Sequence, residues 1–457
     1  MISVAGRKVS FGGGVHPPQS KRLTADKPIQ PGPAVKELGV FLSQHIGAAA
    51  QPIIKKGDIV QAGQKIGQCQ GFVCAPVHSP VAGKVKEIAL RSHPVLGRSL
   101  AVVIEAESES PPGLPEFTSP RDFDPARYTP EQICEAVREA GIVGMGGAGF
   151  PTSVKIQPDT KTPKHTLIIN GCECEPYITC DYRIMLEWTE QIIVGTRLVQ
   201  RACGASNVFI AIEDNKAEAI EKMAGTLEAM SLATSIKVIP VQTKYPQGGE
   251  RQLIRAVLNK VVPTGGIPPA IGVVVDNVAT AAAIADAVVY GRPLTHRVVT
   301  VTGEGIAQAG NYYVPLGTPV RALIDHCGGT TEETAEVLLG GPMMGIAIAD
   351  LSTPISKASG AITVLTKEQA DPAGLDRRQT ACIRCGRCLR ACPEHLNPIR
   401  IAHAVKNNLM DIAESNYISA CIECGCCSYV CPAKIDLTGY IRTGKILRAR
   451  QKKKMPS

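Results

Sequence analysis

The chain has 457 residues, a formal net charge of +8, 17 cysteines, 44 glycines and 34 prolines. At ~100–200 residues per domain, that length predicts two to four domains, each able to bury a core. An apolar content of 44% with 20% charged residues excludes bulk disorder, and 4% aromatics with a single Trp argue against a base-stacking platform for nucleic acid.

The first residues, MISVAGRKVSFGGG, lack the apolar core of a signal peptide. The most apolar stretch, 271–290, contains Asp276, Asn277 and Asp286, which are too costly in lipid, so a cytoplasmic chain is expected. Residues 1–30 read as irregular around GGGVHPP, because glycine and proline at that density forbid a regular element. Over 31–110, short β-rich runs (KKGDIV, AGQKIG, SPVAGKVKEI, LAVVIEAE) alternate with glycine turns and predict a small barrel-like β domain. A Pro- and Ser-rich linker follows. Over 128–292 helices and strands alternate, opening with a helix for which Thr129 is a candidate N-cap. The apolar face of IMLEWTEQIIVGTRLVQRACG predicts one helix over 184–204. The alternation predicts an α/β layered domain with a largely parallel sheet. Residues 293–350 return to short strands in a compact β-rich module, and 365–440 form a Cys-rich, helical end. The tail 441–457 carries seven basic residues (Arg442, Lys445, Arg448, Arg450, Lys452, Lys453, Lys454) and no acid. It is a solvated end, a segment resting on anionic lipid or, least favoured because no base-reading motif accompanies it, a nucleic-acid contact.

An odd number of cysteines in a long chain argues against a disulfide framework. Nine of the 17 lie between Cys382 and Cys431. Cys382, Cys385, Cys388 and Cys392, then Pro393, spell C-x2-C-x2-C-x3-C-P. Cys421, Cys424, Cys427 and Cys431, then Pro432, repeat it 39 residues later. Three close thiolates serve three irons of a cubane, and the fourth Cys of each motif belongs to the other cluster in two-cluster ferredoxins. One [4Fe–4S] cluster is therefore assigned to Cys382, Cys385, Cys388 and Cys431, and the other to Cys421, Cys424, Cys427 and Cys392. The competing reading is zinc, which usually takes two CxxC pairs with a longer gap. Cys426 has no slot in the pattern and reads as a spare buried thiol. Between the motifs, Ile401, Val405, Leu409 and Ile412 predict a helix beside the clusters.

Gly144, Gly146 and Gly149 spell G-x-G-x-x-G, but a helix rather than a strand precedes them, so the Rossmann context is missing. The loop still implies close backbone approach to something flat or phosphorylated, with Lys155 as a candidate charge for a phosphate. Asn170, Glu173 and Glu175 follow the strand HTLIIN, at the end of a parallel sheet where ligands bind. Acids there suit hydroxyls of ribityl or ribose rather than phosphates. Cys172, Cys174 and Cys180 are too tightly spaced for a cubane and read as packing.

GMGGAGFPTSVKI, NGCECEPYITCD, KYPQGGERQL and VDNVATAAAI, in this order, resemble the flavin- and NADH-binding subunit of respiratory complex I. More closely still, the chain resembles the C subunit of Rnf electron-transport complexes, from GGGVHPP to the twin ferredoxin motifs. The resemblance implies a multidomain α/β protein. Its parts would be a barrel-sandwich, lipoyl-like β domain, an α/β flavin- and NADH-binding domain, a β-grasp-like module that resembles soluble-ligand-binding units, and a helical two-cluster ferredoxin domain. It implies FMN against Gly144, Gly146, Gly147 and Gly149, with Lys155 on the phosphate side, and Phe150 stacking on the NADH adenine. Asn170 and Glu173 would contact the flavin region and Glu175 the nicotinamide nucleotide. Tyr245, Gly248 and Glu250 match a second flavin and nucleotide loop, and Asn277 and Thr280 match residues near the FMN phosphate. Cys172, Gly249 and Asp276 stand where complex I has Asp, Glu and Asn, which favours the Rnf branch.

CAPVHSP occupies the stretch where a lipoyl carrier presents its attachment Lys, so no swinging arm is expected; Cys74 and His78 read as packing or hairpin residues. His16 either faces the nucleotide site or braces a turn. The expected function is a peripheral subunit at the cytoplasmic face of the inner membrane where electrons enter an ion-translocating complex. NADH would reduce FMN, reversibly, and two [4Fe–4S] clusters would carry single electrons onward. The expected partners are membrane subunits of the same complex, ferredoxin or another small iron–sulfur protein, and NADH, but no nucleic acid; no acid–base catalytic residue is required. The alternatives are a flavin–iron–sulfur subunit of a soluble hydrogenase or formate dehydrogenase, and a non-catalytic iron–sulfur scaffold.

Overall fold

The computed structural model describes residues 9–120, 123–159, 161–370 and 379–454, with side chains to 451. The outermost parts of the 1–30 segment and of the 441–457 tail, and residues 371–378 of the Cys-rich end, lie outside the described residues, as do the side chains of Lys452, Lys453 and Lys454.

After β1 (Ile29–Pro31) come seven strands: β2 (Glu37–Phe41), β3 (Gln51–Pro52), β4 (Ile59–Val60), β5 (Lys65–Gln68), β6 (Val77–His78), β7 (Gly83–His93) and β8 (Gly97–Ala106). The order β2-β8-β7-β4 makes one antiparallel sheet and β3-β5-β6 a second. Alternation along the strands sends Val40, Val60, Ile66, Val85, Val102 and Ile104 into one core between them. A disulfide joins Cys69 to Cys74 across the β5–β6 loop. Cys74 is thus half of a crosslink, where the sequence suggested packing; the other 15 cysteines are free thiols. His78 is buried, and its Nδ1 has no partner among the described residues.

The α/β unit opens with α1 (Pro130–Glu139). Thr129 caps it: its hydroxyl accepts the Gln132 N–H while the Gln132 side chain accepts the Thr129 N–H. Then follow α2 (Thr152–Ile156), β9 (Thr166–Gly171), α3 (Cys180–Glu187), α4 (Thr189–Cys203), β10 (Asn207–Glu213), α5 (Ala217–Ala229), β11 (Ile236–Val241), α6 (Glu250–Leu258), β12 (Val273–Asn277) and α7 (Val278–Tyr290). The sheet, ordered β11-β10-β9-β12, is wholly parallel. β9 and β12 are buried along their whole length, as strands covered on both faces must be. The helix expected over 184–204 is two helices, α3 and α4, parted at Trp188, whose backbone leaves the helical region (φ −120°, ψ 32°). The Thr189 hydroxyl donates to the Met185 carbonyl at that joint.

Next come β13 (His296–Thr302), β14 (Gly310–Pro315), α8 (Val320–His326), β15 (Thr334–Leu339), β16 (Ile346–Ala347), β17 (Ala361–Thr366) and α9 (Lys367–Ala370). The sheet order is β1-β14-β13-β17-β15-β16. It therefore takes strands from outside the expected 293–350 module: β1 pairs in parallel with β14, and β17 with β13. Residues 365–370 accordingly lie with this sheet and not with the Cys-rich end. Lys357, fully buried, ties three units together. Its ammonium donates to the Pro76 (2.8 Å) and Gly141 (2.6 Å) carbonyls, and its N–H donates to Gln44. Burial lowers its pKa to about 7.

The Cys-rich end consists of α10 (Arg387–Ala391), α11 (Pro398–Lys406), α12 (Met410–Ser415), α13 (Cys426–Tyr429) and α14 (Leu437–Lys454). The helix expected through 397–415 breaks at Asn408, which adopts φ +57°. As a result Ile401 and Val405 are buried, Leu409 and Ile412 are exposed, and Ala413 takes the core position. Within the described residues, 441–454 of the basic tail form the body of α14, whose Leu437 and Ile441 are buried. Arg442 and Lys445 both pair with Glu423, and Arg448 pairs with Glu414.

Candidate functional site

The carboxyl end of the parallel sheet gathers the residues singled out by sequence. Gly146, Gly147 and Ala148 expose their backbone at the tip of the α1–α2 loop. The loop is closed by the Gly144 N–H donating to the Phe150 carbonyl (2.9 Å), and Phe150 itself is half-buried. It is fixed from below by the Thr280 hydroxyl, which accepts the Met145 N–H (3.0 Å), and from the side by Ile46, whose N–H donates to the Gly149 carbonyl. Gly146 lies against Asn277: a Cβ there would come within 2.6 Å of Nδ2. Asn277 also caps α7, its Oδ1 accepting from Ala279, while its Nδ2 donates to Asp181 (2.7 Å).

β9 delivers the next group. Asn170 donates from Nδ2 to the Gly248 carbonyl (2.9 Å) and accepts the Cys172 N–H. Glu173 accepts the Asp181 N–H (2.7 Å) and lies 3.8 Å from the Lys21 ammonium. Burial raises its pKa, with Lys21 opposing. Lys21 donates to the Glu175 and Ile178 carbonyls. Glu175 reaches the six-stranded sheet's loop, where Oε1 accepts the Met343 (3.1 Å) and Met344 (2.7 Å) N–H groups. Burial pushes its pKa up to about 7 against those two donors. Lys155 is not free: it donates to the Val275 carbonyl (2.8 Å) and pairs with Glu250 at 3.4 Å. Asp276 beside it is pushed up to about 6 by burial.

Several buried polar atoms here have no hydrogen-bond partner among the described residues: Glu173 Oε2, which has only the Lys21 ammonium at 3.8 Å, Glu175 Oε2, Asp276 Oδ2 and both amide atoms of Gln247. Each such atom costs of order 1–3 kcal/mol unless something satisfies it. An exposed glycine cradle beside unpartnered buried oxygens fits a phosphorylated, hydroxyl-rich ligand such as a flavin nucleotide. Lys21, Asp181 and Gln247 escaped the sequence reading. Asp181 and Gln247 fall inside motifs quoted there, but nothing local marks Lys21, which arrives from the N-terminal segment.

The second cysteine motif adjoins this site. Cys392, Cys421, Cys424 and Cys427 line one cavity with Pro393, Leu396, Ile422 and Ile441. The four thiols expected for one cubane are thus brought together, including the one from the other motif. Among the described residues no three ligating side chains converge tightly enough for a single ion, and the apolar lining of this cavity fits a larger cluster. Tyr245, 2% exposed, donates its hydroxyl to the Cys424 carbonyl (2.8 Å). It packs with Cys424, Cys426, Val15 and Cys174. The Cys174 thiol in turn accepts the Gly248 N–H (3.3 Å). Cys426 is a fully buried thiol. GGGVHPP is the bridge: Gly14 donates to the Ala391 carbonyl, and Val15 exchanges both backbone bonds with Tyr245. Gly13 must be glycine, since it has φ +77° and a Cβ would meet the Cys392 carbonyl at 2.7 Å. His16 is exposed.

The first motif is more open. Cys388 and Cys431 pack with Ala402, Ala433 and Leu437, while Cys382 and Cys385 are exposed.

Four family models match in sequence order. They are an RnfC barrel sandwich hybrid domain over 9–109, a Nuo51 FMN-binding domain over 137–286, an SLBB domain over 298–347 and a 4Fe-4S dicluster domain over 375–432. The C subunit of the proton-translocating ferredoxin:NAD(+) oxidoreductase complex of Clostridium ljungdahlii is 42% identical over 410 residues, 89% of this chain and 87% of the relative. The C subunit of the Na(+)-translocating ferredoxin:NAD(+) oxidoreductase complex of Acetobacterium woodii is 42% identical over 440 residues, 95% of this chain and 96% of the relative. Its counterpart in the ion-translocating oxidoreductase complex of Rhodobacter capsulatus is 41% identical over 396 residues, 86% of this chain and 74% of the relative. A chain of NAD+-reducing [NiFe]-hydrogenase in the H2-reduced state has a TM-score of 0.49 at 20% identity, covering 72% of this chain and 63% of that one.

Proposed function

The chain belongs to the family of C subunits of ion-translocating ferredoxin:NAD(+) oxidoreductase complexes, and from that premise we propose that it is the subunit where NADH electrons enter or leave such a complex. FMN and NADH belong to the α/β unit and two [4Fe–4S] clusters to the C-terminal end. The observation that carries this reading is the contact between the two: Tyr245 donates to the Cys424 carbonyl and packs with Cys424, Cys426 and Cys174, and Cys174 accepts the N–H of Gly248, whose carbonyl Asn170 holds.

A bound flavin supplies the conversion between two-electron hydride transfer and single-electron steps that clusters can accept. The chain's own residues hold and shield it. Gly144, Gly146, Gly147 and Gly149 offer a backbone cradle, with Phe150 at its rim for the adenine. Asn277 and Thr280 pin that cradle to the start of α7. Lys155, Asn170, Glu173, Glu175, Tyr245, Gly248 and Glu250 line the approach. Glu173, Glu175 and Gln247 present atoms without hydrogen-bond partners among the described residues for ribityl or ribose hydroxyls. Cys382, Cys385, Cys388 and Cys431 hold the second cluster.

No helix among the described residues is long and apolar enough to cross a membrane. We place the chain peripherally, at the cytoplasmic face, against membrane subunits of its complex, with ferredoxin as the further electron partner. The N-terminal sheets fit a lipoyl-like barrel-sandwich, and the six-stranded sheet fits a β-grasp-like unit.

Anaerobic purification followed by assay of iron, sulfide and FMN tests the reading. About eight irons and one FMN per chain are expected, with cluster absorbance bleached by NADH. Flavin-free protein whose clusters ignore NADH would leave the scaffold reading in its place.

A further inference from the structure

The glycine loop between α1 and α2 stands on Lys357, a buried cation for which the proposed function has no use. The Lys357 ammonium donates to the Gly141 carbonyl at the first foot of the loop (2.6 Å) and to the Pro76 carbonyl of the N-terminal β domain (2.8 Å). The Lys357 backbone N–H donates to Gln44 Oε1 (2.9 Å). Gln44 reaches the second foot: a Cβ on Gly149 would lie 3.3 Å from the Gln44 carbonyl oxygen and 3.9 Å from Ala358 Cβ. Both feet of the loop therefore rest on 357–358 and Gln44. The fit is close, since a Cβ on Gly141 would come within 2.8 Å of the ammonium nitrogen.

Charge is balanced around the other cations of this region. Lys155 pairs with Glu250, Lys21 lies 3.8 Å from Glu173, and Arg297 is beside Asp181. Lys357 is fully buried, and no carboxylate faces it among the described residues; two carbonyl oxygens hold its ammonium. Its neighbours supply no anion. His45 and His78 are held below the ordinary imidazole range by burial, His78 at about 3, and the nearby ammonium keeps them neutral as well. Glu139, two residues before Gly141, is turned to Lys65, and Arg297 donates to the Lys357 carbonyl. A buried cation without a counter-charge is unfavourable, and a phosphate seated on the loop above it would supply one.

Resting on the reading of the α/β unit as an FMN site, we infer that Lys357 is a positioning residue whose charge makes this loop select a phosphorylated flavin over an unphosphorylated one. The loop's own N–H groups are the ones offered to the phosphate; Lys357 acts through the foot of the loop and across a protein interior that screens charge far less than water does. Riboflavin has the same ring and ribityl chain and no phosphate, so it gains nothing from this cation. A purely mechanical tie between three units would serve both flavins alike.

The test is anaerobic titration of the cluster-loaded full chain, stripped of flavin, with FMN and with riboflavin, read by quenching of flavin fluorescence. Lys357→Met removes the charge and keeps a side chain of similar length. At pH 7 it should weaken FMN binding at least about tenfold and riboflavin binding less than about twofold. Equal losses for the two flavins would leave Lys357 as a tie alone and overturn the inference, as would an unchanged preference for FMN. The parent gives a second reading that needs no variant. Burial lowers the Lys357 pKa to about 7, so raising the pH removes its charge while the phosphate stays dianionic. The parent's ratio of FMN to riboflavin affinity should fall at least about fivefold from pH 7 to pH 9. A flat ratio overturns the inference even where the variant fails to fold. A parent that binds neither flavin would overturn the FMN reading itself, which is a different result from binding both equally.

Discussion

Glu175 is held by two units at once, since it stands on the loop after β9 and accepts N–H groups from Met343 and Met344. Burial pushes its pKa from 4.5 up to about 7. Between those values the folded state binds more protons than the unfolded one, so this group's effect is to lower stability as pH rises from about 4.5 to 7. At ~1.4 kcal/mol per pK unit, the penalty at pH 8 is roughly 3–4 kcal/mol. Glu175→Gln keeps the acceptor and removes the charge. Its unfolding free energy should match the parent near pH 4 and exceed it by about that amount at pH 8 in denaturant titrations. Parallel pH curves for the two proteins would show that the carboxylate is solvated. At this scale the sequence was informative wherever a residue sat inside a dense motif: Asn170, Glu173, Glu175, Asn277 and Thr280 all converge on one sheet end. It was silent on Lys21, which lies over 150 residues away in the chain and is buried only by tertiary structure. Lys155 was singled out in the sequence, but its pairing with Glu250 was not legible there, because it depends on where α6 begins.

Regular elements were legible where periodicity and caps agreed, as in α1 with its Thr129 box or in the fully buried β9 and β12. They were misread where one unusual backbone residue interrupts an otherwise continuous pattern, at Trp188 and Asn408. β1 could not be read at all: three residues, IQP, carry no periodicity, and only a partner from residue 311 onward makes them a strand. The packing of α4 on α7 shows what an element-level contact demands. A Cβ on Gly195 would collide with the Ala281 carbonyl, a backbone atom that cannot rotate away. Gly195→Ala should therefore cost at least about 1–3 kcal/mol despite the better helix propensity of Ala. The denaturation midpoint of the α/β unit measures it, and a gain in stability would mean that the two helices slide apart freely.

At the level of the whole molecule, the domain order and the cysteine duplication could be read from spacing, but the direction in which each copy faces could not. That depends on GGGVHPP, which hydrogen-bonds to Ala391, at the end of the first copy beside Cys392, and to Tyr245, whose hydroxyl holds the Cys424 carbonyl of the second. On the proposed ligand sets the arrangement implies an order, with the buried thiols of Cys392, Cys421, Cys424 and Cys427 inboard and the more open set of Cys382, Cys385, Cys388 and Cys431 outboard. Electron tunnelling needs short gaps, so on that proposal a cluster on the inboard thiols would lie between the flavin and the exit. Cys385→Ser should then abolish the outboard paramagnetic signal, spare FMN content and leave the inboard cluster reducible by NADH. Cys421→Ser should instead leave the outboard cluster assembled and reducible by dithionite, yet cut off from NADH. The pair of variants is read by low-temperature paramagnetic resonance after each reductant. NADH reduction of the outboard cluster at the parent's rate in Cys421→Ser would mean that electrons bypass the buried thiols, and the order read from the fold would be wrong.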